Sequence, residues 1–188
     1  MTNDKRAIFL DKDGTLIEDV PYNVDPDQMR LTVGVESLRQ LHESGYLLII
    51  ISNQSGVARG YFPEAALEPV KQRSRELLAQ FDIPLTDFYF CPHHPEGMVG
   101  KYAIDCHCRK PKPGLLLQAA HDYTIDLSQS WFIGDILNDV EAGRRAGCQT
   151  ILLDNGNETE WIFSPDRIPH HVATDLSEAV DVIEGGRW

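Results

Sequence analysis

Phe9-Leu10-Asp11-Lys12-Asp13-Gly14-Thr15-Leu16 is the stretch on which the reading of this 188-residue chain turns. The apolar run Ala7-Ile8-Phe9-Leu10, with aromatic and β-branched members and polar residues on both sides, predicts a short buried strand that stops at Asp11. Two carboxylates therefore stand at the carboxyl end of a strand. In open α/β sheets that end faces the ligand crevice, and period-two alternation keeps Asp11 and Asp13 on one side if the extended path continues. Gly14 then lets the backbone turn away without steric cost. Acids one residue apart suit phosphoryl transfer through a covalent intermediate. One must be ionised to attack phosphorus, and the other must protonate the leaving oxygen and later take a proton from water. Mg²⁺, a hard cation that prefers oxygen, would hold the nucleophile and the phosphate together. A solvated acidic loop is the inert alternative.

Composition narrows the possibilities. With 42% hydrophobic residues the chain can bury one proper core, so residues 1–188 are expected to form a single domain. No apolar run approaches the roughly 20 residues of a membrane helix, and no basic-then-apolar leader opens the chain, so a cytoplasmic protein with no membrane partner is expected. A net charge of −12 opposes nucleic acid as a partner. Any anionic substrate must be held by a local pocket of metal and Lys/Arg. Of the four cysteines, Cys91, Cys106, Cys108 and Cys148, three crowd one segment, which favours metal over a disulfide framework.

Further buried strands are expected at 46–51, 88–90, 131–133, 150–153 and 171–173, and helices over 33–42, 63–81, 113–123, 138–146 and 176–183. The polar stretch 18–31, with Pro21 and Pro26, reads as a loop over the crevice with no room for a large lid. The alternation of strand and helix predicts an α/β fold: a doubly wound, mostly parallel Rossmann-like sheet with helices on both faces and no large cap domain. Nucleotide-binding glycine loops of the Gly-x-Gly-x-x-Gly or Gly-x-x-x-x-Gly-Lys kind are absent from the sequence.

Three more polar clusters follow predicted strands or precede a helix. Ser52-Asn53-Gln54-Ser55-Gly56 offers a hydroxyl, an amide and the free N–H groups of a turn to a phosphate oxygen. Arg109-Lys110-Pro111-Lys112-Pro113 presents basic side chains on a proline-stiffened approach, Lys as a point charge and Arg as a bidentate grip. Gly134-Asp135 ends a strand, placing Asp135 to ligate Mg²⁺ with Asp11 and the backbone carbonyl of Asp13, whereas Asp139, one turn on, suits capping or orienting. Between 91 and 110, Cys91-Pro92-His93-His94 and Cys106-His107-Cys108 supply enough thiolates and imidazoles for a tetrahedral Zn²⁺. Cys91, His93, Cys106 and Cys108 are the expected ligands, with His94 and His107 as substitutes. Such a closed site is structural, and it would pin Arg109 and Lys110 at the crevice. Cys148 reads as a core residue.

Asp-x-Asp-Gly-Thr, Ser-Asn-Gln-Ser-Gly, Lys-Pro and Gly-Asp in this order resemble the signatures of the haloacid dehalogenase superfamily of phosphotransferases. With Cys-Pro-His-His-Pro and Cys-x-Cys-Arg-Lys-Pro added, the likeness narrows to its histidinol-phosphate-phosphatase-like branch, and within that to the heptose bisphosphate phosphatases, over about residues 7–153. The resemblance implies a Mg²⁺-dependent phosphomonoesterase acting as a monomer on a small phosphorylated sugar. It makes Asp11 the nucleophile, Asp13 the acid/base, and Ser52 and Lys110 phosphoryl stabilisers. Arg109 would recognise substrate, as would Arg59, while Asp19 to Tyr22 and Ser52 to Ser55, including Asn53 and Gln54, would line the pocket. Two departures touch substrate binding. Ile136 stands where that family commonly has a basic residue, and Val20-Pro21 where it tends to have His-Gly. A histidinol-phosphate phosphatase, a polynucleotide 3′-phosphatase and a non-enzymatic zinc-stabilised binding module are the alternatives. The segment 154–161 has no assigned role beyond that of a rim loop.

Overall fold

The structure, a computed structural model, describes residues 5–185. Six strands form one sheet: β1 (Arg6–Leu10), β2 (Tyr46–Asn53), β3 (Asp87–Cys91), β4 (Trp131–Gly134), β5 (Gln149–Leu153) and β6 (His171–Ala173). Their order is β3-β2-β1-β4-β5-β6 and each neighbouring pair runs parallel. The helices are α1 (Leu38–Glu43), α2 (Gly56–Arg59), α3 (Leu67–Ala79), α4 (Gly114–Tyr123), α5 (Leu137–Ala146) and α6 (Leu176–Gly185).

The strands are apolar on both faces because both faces are covered. Ile8 and Leu10 point into a core shared with Leu41 of α1, Val70 and Leu77 of α3, and Leu176 and Ile183 of α6. Ala7 and Phe9 point the other way, onto Leu115, Leu116 and Ala119 of α4 and Ala142 of α5. Each fully buried Leu, Ile or Phe contributes about 1.5–3 kcal/mol relative to exposure, so this double burial is a large part of what holds the sheet between its helices.

Two helices differ from expectation at their starts. Residues 33–42 open with a 3₁₀ turn, Val35–Ser37, after the left-handed Gly34, and only Leu38–Glu43 is α-helical. Residues 63–81 open likewise with Glu64–Ala66, and Pro69 then sits in the first turn of α3, where the N–H it lacks would have no intrahelical partner. The four-residue α2 was not expected.

Topology places the site. Parallel strands put their carboxyl ends on one edge, and Leu10 lies level with both Ile50 and Ile133. The segments that leave β1, β2 and β4 therefore emerge side by side. β1 is also where the strand order reverses, the position at which open α/β sheets part to form a crevice.

Candidate active site

A cavity of about 210 Å³ lies at that edge, lined by Asp11, Asp13, Asp19, Asn53, Lys110, Asp135, Ile136 and Asn157. Its floor is an ion-pair centre. The Lys110 ammonium, buried, donates to Asp11 Oδ1 at 2.6 Å, Asp139 Oδ1 at 2.6 Å and Ile51 O at 3.0 Å. Burial opposes its charge, but the two carboxylates outweigh burial and raise its pKa, so the lysine stays protonated. Carboxylate oxygens of Asp11, Asp135 and Asp139 all lie within 4.8 Å of one another. Burial first, and then the charges of Asp11 and Asp139, push Asp135 up to about 8. Burial also raises Asp139 to about 6 against the pull of Lys110. Its Oδ2 accepts from Ile136 N at 3.3 Å, capping α5.

Asp13 is raised as well, because burial outweighs the contact of its Oδ1 with the Lys12 ammonium. Its Oδ2 accepts from Gln54 Nε2 at 3.1 Å, and the same amide reaches Ser52 Oγ at 2.8 Å. Gln54 is thus a buried tie between two predicted site residues rather than part of the cavity wall. Asn53 grips the backbone of Lys110 through both halves of its amide, each at 3.1 Å, fixing the basic loop to the end of β2. Gly14 is required here. Its φ is +82°, and a Cβ would lie 2.1 Å from Asp135 Oδ2.

Cys91, His93, Cys106 and Cys108 come together as a second cluster. The three sulfurs are 3.1–3.4 Å apart, and His93 Nδ1 lies 3.3 Å from Cys108 Sγ and 3.6 Å from Cys91 Sγ. The hydrogen bond between Cys91 and Cys108 draws Cys108 below the usual thiol range and raises Cys91 in return. His94 is turned away, accepting from Glu96 N at 3.1 Å and facing Arg59 at 3.3 Å, and His107 lies outside the four-residue group. Lys112 binds Asp105 and Cys106 O, away from the cavity.

The expected substrate residues divide. Asp19 and Asn53 line the cavity, whereas Tyr22, Ser52, Gln54, Ser55, Arg59 and Arg109 do not. Tyr22 packs edge-on against Tyr61, ring centres 4.7 Å apart. Arg109 donates to His93 O at 3.4 Å, and burial lowers its pKa, with the nearby Arg59 adding to the effect. Arg59 Nε is buried without a hydrogen-bond partner. Sequence reasoning missed Asn157, whose amide donates to Asp135 Oδ2 at 2.8 Å, and the role of Asp139 as the second partner of Lys110.

Residues 107–179 match the HAD-hydrolase-like family model. A D-glycero-beta-D-manno-heptose-1,7-bisphosphate 7-phosphatase of Pasteurella multocida is 46% identical over 154 residues, 81% of this chain and 83% of that protein. One from Escherichia coli is 38% identical over 168 residues, covering 84% and 88% respectively. Among solved structures, D,D-heptose 1,7-bisphosphate phosphatase from B. bronchiseptica, complexed with magnesium and phosphate, superposes with a TM-score of 0.77 at 28% identity, over 96% of this chain and 98% of that one. A HAD-like protein from Mesorhizobium loti gives 0.83 at 33% identity, over 97% and 87%.

Proposed function

The chain belongs to the D-glycero-beta-D-manno-heptose-1,7-bisphosphate 7-phosphatases, within the HAD-like hydrolases, and on that basis we propose that it removes the 7-phosphate of this heptose bisphosphate through an aspartyl-phosphate. The observation that carries the reading is the convergence of Asp11, Asp13, Lys110 and Asp135, from three separate segments, on one small cavity.

Magnesium fits this donor set. Asp11 and Asp135 are buried carboxylates crowded against a third, and Lys110 pairs with Asp11 and Asp139 but not with Asp135. Asp139 is engaged by Lys110 and the α5 cap, which leaves Asp11, Asp135 and the backbone carbonyl of Asp13 to hold the ion. Bound there, magnesium would polarise a phosphoryl oxygen and offset the charge of the acids.

The protein's own groups carry the reaction. Asp11 attacks phosphorus, and the bond between phosphorus and the sugar oxygen breaks as Asp13 protonates the leaving alkoxide. Asp13 then takes a proton from the water that opens the aspartyl-phosphate, releasing phosphate and restoring Asp11. Lys110 orients Asp11 and stabilises charge on the phosphoryl oxygens, while Ser52, off the cavity, holds the Gln54 amide that in turn binds Asp13. A volume of about 210 Å³ is below the roughly 300–1,000 Å³ of common ligand sites, so it suits the reacting end of the substrate. The far phosphate is left to the rim, where Arg59 and Arg109 are the available cations, and Asp19 and Asn53, which line the cavity, would meet the sugar. Cys91, His93, Cys106 and Cys108 would hold a structural zinc, which would stiffen the loop carrying Arg109 and Lys110.

Phosphate release from anomer-resolved heptose bisphosphates, with histidinol phosphate alongside, tests the reading. The heptose 7-phosphate is expected to be the best substrate and Asp11→Asn to abolish turnover. Magnesium-dependent release by that variant would overturn the mechanism, and faster release from histidinol phosphate would overturn the substrate.

A further inference from the structure

The segment that leaves β5 is clamped onto the cavity at three points. Asn155 Nδ2 donates to Gly14 O at 2.7 Å, on the loop that carries the paired acids. Asn157 Nδ2 donates to Asp135 Oδ2 at 2.8 Å. Glu158 Oε2 accepts from Leu137 N at 2.6 Å, at the start of α5 and two residues beyond Asp135. The contact is close enough that a Cβ on Gly14 would lie 2.4 Å from Asn157 Nδ2.

Asp135 needs such a partner. It faces two other carboxylates, and the next residue, Ile136, is apolar and offers it no charge. Its remaining donor is Thr15 Oγ1, at 3.1 Å from Oδ1. With one donor on each oxygen, the plane of the carboxylate is set from both sides. Ligating carboxylates held in this way keep their orientation, and loss of the outer partner typically costs about 10–100-fold in metal affinity. We propose that Asn157 is a positioning residue that orients Asp135 for the catalytic magnesium, and that residues 155–158 form the wall that keeps it there. The proposal rests on the magnesium-dependent reading above.

Metal-free wild type, Asn157→Ala, Asn157→Leu and Asp135→Asn are titrated with Mg²⁺ by calorimetry, and with Mn²⁺ by electron paramagnetic resonance. Leucine fills the space of asparagine without donating a hydrogen bond. Both Asn157 variants are expected to lose about tenfold in affinity for either ion, more than any fall in the unfolding midpoint of the metal-free protein accounts for, with kcat restored at saturating magnesium. Wild-type affinity in Asn157→Leu, or a loss matched by a fall in the metal-free midpoint, would overturn the proposal. Failure of the magnesium reading looks different: wild type would bind no better than Asp135→Asn.

Discussion

Lys110→Met tests the centre of the cavity, because methionine keeps the length of the side chain and removes its charge. In the wild type one buried ammonium serves Asp11 and Asp139 together, each at 2.6 Å, and all three side chains are largely withdrawn from water. Removing one partner of a buried pair leaves an uncompensated charge and costs about 3–5 kcal/mol. The two pairs share one cation, so the loss is not doubled. Against a total stability of about 5–15 kcal/mol this is a large fraction. Urea unfolding of metal-free protein is expected to show it in full, and added magnesium is expected to narrow the deficit by supplying positive charge to Asp11. Lys110→Met/Asp139→Asn should recover about 1 kcal/mol or more of the loss, since the second change removes an orphaned carboxylate. Activity should fall about 10²–10³-fold with the lost phosphoryl contact. A metal-free deficit under about 1 kcal/mol, or no recovery in the double variant, would refute the account of Lys110 as the shared counter-ion.

Three further outcomes follow from geometry elsewhere. Cys108→Ser should lower bound zinc in elemental analysis, depress the unfolding midpoint and raise KM more than it lowers kcat, because Arg109 adjoins the cluster; full zinc occupancy in the variant would contradict the ligand assignment. Gly14→Ala should lower kcat/KM by about 10²-fold in a folded protein, the scale of a misplacement of about 1 Å, since its Cβ would displace Asp135 and Asn157 from a backbone at φ +82°. His170 has its pKa lowered by burial and by Arg144, so the unfolded chain binds its proton more readily. The stability it contributes is present above the unfolded pKa and lost as pH falls towards the folded one. His170→Gln should therefore flatten the stability profile as pH falls below the ordinary imidazole value of about 6.5, and equal slopes for variant and wild type would count against it.

The sheet was legible because a strand covered on both faces must be apolar throughout, and a run such as Leu47 to Ile51 is far too short to cross a membrane as a helix. Strand ends were less so. Arg6, Asn53 and Gln149 extend their strands through backbone pairing, to which side-chain polarity is no guide. α2 has no apolar stripe to read; it forms where Gly56 packs so closely on Phe62 that a Cβ would lie 2.3 Å from the ring. In the site, residues directly after strands were readable because the topology brings strand ends together. Asn157 was not, since Asn155-Gly156-Asn157 has the composition of an ordinary turn. The available signal was strand order. β5 pairs with β4, Gly134 level with Leu152, so the segment after β5 must pass beside Asp135.

The distribution of charge explains how a chain of net charge −12 can hold an anion. Long-range repulsion from the acidic surface is screened beyond about 10 Å at 0.1 M salt, so the contacts inside the cavity decide binding. There, Lys110 is engaged by Asp11 and Asp139, and Lys12 by Asp13, which keeps these acids buried and organised before substrate arrives. Neither Arg59 nor Arg109 forms a carboxylate ion pair among the described residues, and Arg59 keeps a buried Nε without a partner. The positive charges thus differ in engagement, the lysines paired with buried acids and the two arginines without a carboxylate partner among the described residues. Because Arg59 contacts His94 and Arg109 contacts His93, both arginines depend on the folding of the cysteine loop. Zinc in that loop would act on substrate binding without touching the reacting atoms.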